Sequence, residues 1–441
     1  MVHSAKSAAV FSFAIWLAAA AVACGGDSDK APAPTKSAKL APVVEKQPTK
    51  APEPDLGHAL VLGLASFAPF EKGKPPKALP ARMEFLSFSD GKWNLTQLED
   101  EGSDVFHKAM AYQTADGQTQ ILSVSGSKAV VKLWSKGADG LEAKTLWEKD
   151  FGGKFSRMRD VEVGDLFGDG SAAMAVATHD QGIVATIHPK PDGTFEVVEI
   201  DAEPDTFVHE IEIGDLDGDG TLEVYATPSE PNRLDGSHQS GQVARYIPKT
   251  GEGRKIVADL GDRHAKEIYV GDVDGNGKDE LYVVVEGRLN KETKSIDVKT
   301  EVRRYEADTD PAAGVVIGEL PDYMCRFLTV GDIDGDGKLE MIAAAYSSGL
   351  WLLRPGVDPM APWKVELLDK NSGGFEHAAI LSDLDGDGKD ELYVASDKHK
   401  EVRRYEWNGS RMVSETIYKR PSSAGGVFTW NIMPVPVALL P

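Results

Sequence analysis

The sequence predicts an all-β chain folded as a β-propeller, and three observations predict it. Five segments of one form recur at intervals close to fifty residues. Each interval holds four short strand-like stretches, the content of a propeller blade. The C-terminal stretch 427–433 is a further strand placed where it can close a ring. Closure removes the free edges that an open sheet exposes.

Taken in order, residues 1–23 read as an export signal. Lys6 gives a modest positive start, 8–23 is apolar except for Ser12, and Ala21-Val22-Ala23 precedes Cys24. The run is short for a membrane span and ends in small residues, so it stands apart from the fold. Small residues before a cysteine resemble a bacterial lipoprotein signal, which implies acylation of Cys24 and anchoring at the outer membrane, on its periplasmic side or at the cell surface. An ordinary secretory signal cut near Ala23 is the alternative. Residues 24–57 hold Pro32, Pro34, Pro42, Pro48, Pro52 and Pro54 among Ala, Lys and Thr. Such a stretch has little to bury and reads as a tether. The propeller then spans 58–441. Cys325 is the only other cysteine, so no disulfide framework holds the mature chain.

The net charge of −22, with 70 acids against 48 Lys and Arg, argues against nucleic acid, which needs a basic footprint. The same balance suits a chain that collects cations.

The five copies are 161–176, 211–226, 268–283, 328–343 and 379–394, led by Asp165, Asp215, Asp272, Asp332 and Asp383 at separations of 50, 57, 60 and 51. Each is an apolar strand, an Asp/Gly loop and a second apolar strand. A third strand follows (243–246, 302–305, 402–405) and then a weaker fourth (255–258, 413–417). A degenerate sixth copy covers 110–124, with 130–134 after it. A split seventh blade takes 83–87 and 93–97 as outer strands and 427–433 as the inner one. Seven blades result, with six or eight as alternatives.

Four loops carry a calcium pattern. In Asp215, Asp217, Asp219 and Glu223, carboxylates stand at loop positions 1, 3, 5 and 9, with Gly218 and Gly220 between and Thr221 offering its carbonyl at position 7. Alternate oxygens on a tight turn can converge on one hard cation. The same pattern recurs at Asp272, Asp274, Asn276, Lys278 and Glu280, at Asp332, Asp334, Asp336, Lys338 and Glu340, and at Asp383, Asp385, Asp387, Lys389 and Glu391. About four Ca²⁺ ions are expected. The copy led by Asp165 has Phe167 at position 3 and Ala173 at position 9, so Asp165 and Asp169 should hold calcium poorly. The strand–Gly-Asp-Leu-Asp-Gly-Asp-Gly–strand form resembles the FG-GAP, or VCBS, repeat of integrin α-subunit propellers and many bacterial surface proteins, over about 110–420. That resemblance implies structural calcium in loops joining the first and second strands of a blade. It barely constrains activity, since the family includes adhesion modules, sugar-binding domains and some polysaccharide lyases.

No nucleophile motif, phosphate loop or zinc spacing appears, so an enzyme would have to assemble its site from several blades. Six residues before each leading aspartate stand Arg159, His209, Lys266, Arg326 and His377, a basic or imidazole side chain in all five copies. The start of each inner strand should point at one channel mouth, opposite the calcium loops. A long polar connection with Asn232, Arg233 and His238 could reach over it. Converging cations suit an anionic glycan or protein partner, and the two histidines also allow a transition metal. The bland alternative is that each base pairs with a neighbouring acid (Asp160, Glu210, Glu267) and only joins blades. Three functions stay open: a ligand-binding, adhesion or scaffold module of the cell envelope, which we favour; a calcium-dependent polysaccharide lyase or hydrolase; and a purely structural envelope component.

Overall fold

A computed structural model describes residues 56–69, 76–152, 156–228, 237, 239–421 and 426–441. Among them thirty strands occur, with one 3-10 turn at Val437–Leu439 as the sole helical element. Cys24 and most of the tether lie outside the described residues.

The first strands, β1 (His58–Ser66), β2 (Ala81–Ser89) and β3 (Lys92–Asp100), pair antiparallel in that order. Six four-stranded antiparallel units follow. They are β4 (Val105–Gln113), β5 (Thr119–Gly126), β6 (Ala129–Lys136) and β7 (Leu141–Lys149); then β8 (Met158–Gly164), β9 (Ala173–Thr178), β10 (Ile183–Pro189) and β11 (Phe195–Ala202); then β12 (Val208–Gly214), β13 (Glu223–Pro228), β14 (Gln242–Ile247) and β15 (Glu252–Asp259). The fourth unit is β16 (Ala265–Gly271), β17 (Glu280–Val285), β20 (Thr300–Tyr305) and β21 (Val315–Leu320). Between its second and third strands lies a small hairpin of β18 (Arg288–Leu289) and β19 (Ile296–Val298). The fifth is β22 (Cys325–Gly331), β23 (Glu340–Ala345), β24 (Leu350–Arg354) and β25 (Lys364–Asp369). The sixth is β26 (His377–Ser382), β27 (Glu391–Ser396), β28 (Glu401–Trp407) and β29 (Met412–Lys419).

The last strand, β30 (Val427–Pro436), pairs with β1 from His58↔Pro436 to Ser66↔Val427 and completes a seventh unit, β30-β1-β2-β3. A single pairing, Ala65↔Val105, links that unit to the next. The innermost strands β4, β8, β12, β16, β22, β26 and β30 neighbour one another in that order, and β30 returns to β4. The ring therefore closes, with the C-terminal strand innermost and 83–87 and 93–97 inside β2 and β3, as the sequence predicts. The strand β1, missed in the sequence, is the partner that β30 needs.

Seven buried apolar clusters hold the ring, one at each boundary between neighbouring units. The second residue of each Asp/Gly loop plugs the boundary with the next unit: Leu166, Leu216, Val273, Ile333 and Leu384 are all buried there. A leucine buried this way contributes about 1.5–3 kcal/mol relative to exposure. The loops are thus fastened to the core at this residue, while their aspartates stand nearer the surface.

Candidate functional site

The five Asp/Gly loops share one backbone turn. The leading carboxylate accepts hydrogen bonds from the amides at positions 5 and 6. For Asp215 these come from Asp219 at 3.0 Å and Gly220 at 2.7 Å; for Asp383 from Asp387 at 3.1 Å and Gly388 at 3.0 Å. Asp165 does the same, at 3.0 Å to both Asp169 and Gly170, although its loop lacks the acids at positions 3 and 9. The glycines at positions 4 and 6 all have φ between +69° and +88°, where a Cβ would be strained. The turn is therefore a property of the chain, and the acids are an addition to it.

In four loops that addition brings acids together. Oxygens of Asp383, Asp385, Asp387 and Glu391 lie within 4.8 Å of one another, as do those of Asp215, Asp217 and Asp219, of Asp272, Asp274 and Glu280, and of Asp332, Asp334 and Asp336. Asp165 and Asp169 form no such group among the described residues; instead Asp169 meets His188 at 2.9 Å, and the His188 ring stacks on Phe167 at 4.0 Å. The glutamate at position 9 is buried in every loop that has one. Its Oε2 accepts the amide of position 2, at 3.2 Å from Leu216, 3.3 Å from Val273, 3.1 Å from Ile333 and 3.3 Å from Leu384. Burial, the largest cause, pushes Glu280, Glu340 and Glu391 up to about 7. Buried Asp334 Oδ1 has no hydrogen-bond partner. Clustered carboxylates short of counter-charge, with one orphaned oxygen, fit a hard divalent cation. Successive loops are also tied together: Asp279 Oδ2 accepts the Asp215 amide at 2.7 Å, and Asp390 Oδ2 the Asp332 amide at 2.8 Å.

At the other end of the inner strands the chain makes a repeated bulge. Pairing with the second strand slips between Phe106 and Lys108, Met158 and Asp160, Val208 and Glu210, Ala265 and Ile268, and Cys325 and Phe327. The slipped positions hold His107, Arg159, His209, Lys266 and Arg326, all buried. On β30 the slip between Asn431 and Thr429 falls at Trp430.

Three of these side chains, His107, Arg159 and His209, gather against Trp430. The Arg159 guanidinium reaches His107 Nδ1 at 3.1 Å and His209 Nε2 at 2.8 Å, and lies 5.3 Å from the Trp430 ring. His209 Nδ1 lies 3.0 Å from the Lys266 carbonyl. An Nδ1–H donating there leaves Nε2 to accept from Arg159, so this ring is neutral. The His107 ring lies 4.7 Å from Trp430 and 6.2 Å from His179, which stands in the β9–β10 connection. Burial first, then the nearby arginines, holds His107, His179 and His209 well below the usual imidazole range. Beneath lies an acidic layer. Lys108 pairs with Asp160 at 3.1 Å and with Glu162, while Asp160 also accepts the Ile211 amide at 2.9 Å and so ties β8 to β12. Burial raises Glu162, Glu210 and Glu212, and brings Glu267 to about 8.

Of the five basic residues expected at the mouth, His377 is placed differently and Arg326 is taken up by an acid. Strand β26 has no bulge: His377 pairs with Ser396 in register, so its ring turns into the blade, 2.6 Å from Ser372 Oγ and 2.9 Å from the Ala345 carbonyl. Glu376 stands in its stead and takes Arg326 at 2.5 Å. Of the long polar connection, Asn232, Arg233 and His238 lie outside the described residues, and Gln239 is buried. Sequence counting missed His107, His179, Trp430 and Glu376. His107 follows Phe106 at a strand start as Arg159 follows Met158, a signal visible only when copies are aligned on strands and not on aspartates.

No family model matches the sequence. Rhamnogalacturonan exolyase YesX of Bacillus subtilis (strain 168) is 26% identical over 250 residues, covering 46% of this chain and 40% of that protein. The chain thus spans less than half the length of this curated relative. Among solved structures, a protein from Lactobacillus plantarum aligns with a TM-score of 0.52 at 11% identity, over 86% of this chain and 99% of that one. A Synechocystis apocarotenoid oxygenase variant aligns at 0.52 and 11%, over 87% and 94%. A putative 6-phosphogluconolactonase from Bacteroides uniformis aligns at 0.50 and 12%, over 86% and 100%. At these identities the likeness establishes the fold alone, and the fold is a β-propeller.

Proposed function

We propose that the chain is a calcium-stabilised propeller of the cell envelope, held to the outer membrane by a lipid on Cys24, that binds an anionic group of a glycan or protein at the channel mouth. One observation carries the binding reading. Arg159 is a buried cation whose hydrogen bonds go to imidazoles and whose face lies on Trp430; among the described residues no carboxylate pairs with it, and neither its Nε nor His107 Nε2 has a partner. Glu210 and Glu267 act on its charge without pairing with it, so an incoming carboxylate or sulfate would supply the direct partner that a buried cation favours. The calcium reading rests on the four acid groups and on the fit of their donors to a hard cation.

A lyase acting on acidic polysaccharide is the second reading. It is favoured by the name of the relative and by neutral imidazoles beside a guanidinium, which together could take a proton next to a neutralised uronate. The test is a panel of uronate-containing and sulfated glycans and acidic peptides, with the parent and Arg159→Ala. A charge-assisted hydrogen bond is worth roughly 1.5–3 kcal/mol, so the variant should bind about ten- to a hundredfold more weakly with its melting temperature little changed. Release of unsaturated products from a bound glycan selects the lyase. A parent that binds no member of the panel, or a variant that binds as well, refutes the mouth site and leaves a structural component.

A further inference from the structure

Each of the four acid-bearing loops faces an arginine from the third strand of its own blade. Arg304 Nη2 lies 2.7 Å from Asp274 and 3.1 Å from Glu280. Arg404 Nη2 lies 2.7 Å from Asp385 and 3.4 Å from Glu391. Arg245 Nη1 lies 2.6 Å from Glu223 and 3.7 Å from Asp217. Arg354 Nη1 lies 3.1 Å from Asp334 and also meets Glu340. The guanidinium thus bridges positions 3 and 9 in every case.

The arginine follows the acids and not the strand position. Arg245, Arg304 and Arg404 sit in one register, opposite Tyr225, Tyr282 and Tyr393. In the fifth unit that register holds Leu352, opposite Ile342, and the guanidinium arrives from Arg354, two residues further on. In the second unit, whose loop has Phe167 and Ala173 in place of the acids, the register holds Thr186 opposite Ala175. A strand-packing role would keep the position; a charge role keeps the acid pair company.

We propose that these arginines are internal counter-ions which stand in for calcium in the metal-free loop, keeping the propeller folded without metal and weakening its calcium affinity. This rests on the calcium reading of the loops. Carboxylates held within a few ångströms of one another repel, and one guanidinium offsets part of that repulsion. A dication entering the same cluster meets the guanidinium as a like charge. Whatever stabilises the metal-free state more than the loaded one lowers affinity by the same free energy.

The experiment is the melting temperature of the parent and of Arg404→Met, each in chelator and in excess calcium, with calorimetric titration of calcium. Arg404→Met should melt lower in chelator, fall less in calcium, and so show a larger calcium-induced rise than the parent. Its tightest site should bind roughly tenfold more strongly, the scale of one unit charge near a partly solvated site. Equal falls in both conditions would make Arg404 an ordinary structural ion pair and overturn the proposal. A smaller calcium-induced rise would make it a residue that orients the ligands, and overturns the proposal equally. If Arg404→Met folds in neither condition, Arg245→Met, whose contact to the position-3 acid is the longest of the four, decides by the same comparison. A parent that takes up no calcium overturns the calcium reading itself; a responsive parent with an unchanged increment in the variants overturns this proposal alone.

Discussion

Replacing Glu376 by alanine should destabilise the propeller more than any change at a surface ion pair. Its Oε1 lies 2.5 Å from Arg326 Nη2, and each side chain is 1% exposed. The guanidinium sits 5.0 Å from the Phe375 ring, its Nε has no hydrogen-bond partner, and it also meets the Met324 sulfur at 3.8 Å, with Glu286 and Glu267 acting on its charge less strongly than Glu376. Removing the carboxylate therefore leaves a buried cation without its hydrogen-bonded counter-ion. Breaking a buried pair by deleting one partner costs about 3–5 kcal/mol. Unfolding entropy near 2.1 cal/mol/K per residue gives about 0.8 kcal/mol/K for the roughly 360 described residues, so the melting temperature should fall by roughly 4–6 °C. Calorimetry of Glu376→Ala checks the fall, and Arg326→Met combined with Glu376→Leu should recover most of it, because an apolar pair of similar volume needs no compensation. A single variant that melts within about 1 °C of the parent, or a double variant no better than the single, would refute the account of a dry pair. The same pair withdraws Arg326 from any ligand, so Arg326→Met should leave glycan or peptide binding unchanged.

Two further predictions concern the calcium loops and the anchor. Calcium at a hundred times its dissociation constant stabilises by about 2.7 kcal/mol per site, so chelation should lower the melting temperature clearly, and Asp217→Ala or Asp334→Ala should shrink the difference; a parent that melts alike in chelator and in calcium refutes the loops as metal sites. Cys24→Ala should move the protein from the membrane fraction to the soluble one after cell fractionation, and a variant that still sediments with membranes places the anchor elsewhere.

What the sequence made legible was whatever the backbone repeats in step with residue number. The Asp/Gly turn does so: its two left-handed glycines and its leading aspartate recur at fixed offsets, so five loops and their flanking strands could be read directly. Ring closure was legible because an apolar strand at the end of the chain needs a partner. What stayed hidden depends on register. A bulge inserts one residue into a pairing without marking the sequence around it, so Glu376-His377 and Met158-Arg159 look equivalent by counting while their side chains go to opposite sides of the strand. The bridging arginines were visible as strand residues, but their approach to positions 3 and 9 follows from which residue of the third strand lies opposite which of the second.

These registers also decide the shape of the mouth. An even ring of five bases would present a symmetric cationic collar. The missing bulge on β26 replaces one base by an acid, which neutralises a second. Arg159 is left between His107 and His209 against Trp430, on strands β30, β4, β8 and β12, with the acidic layer of β8, β12 and β16 below it. An anion entering the channel would therefore meet its counter-charge on one side, near the opening, and acids without a matching row of cations deeper in. Such a site suits a single charged group on a larger ligand that stays outside the ring, and opposes an anion passing through it.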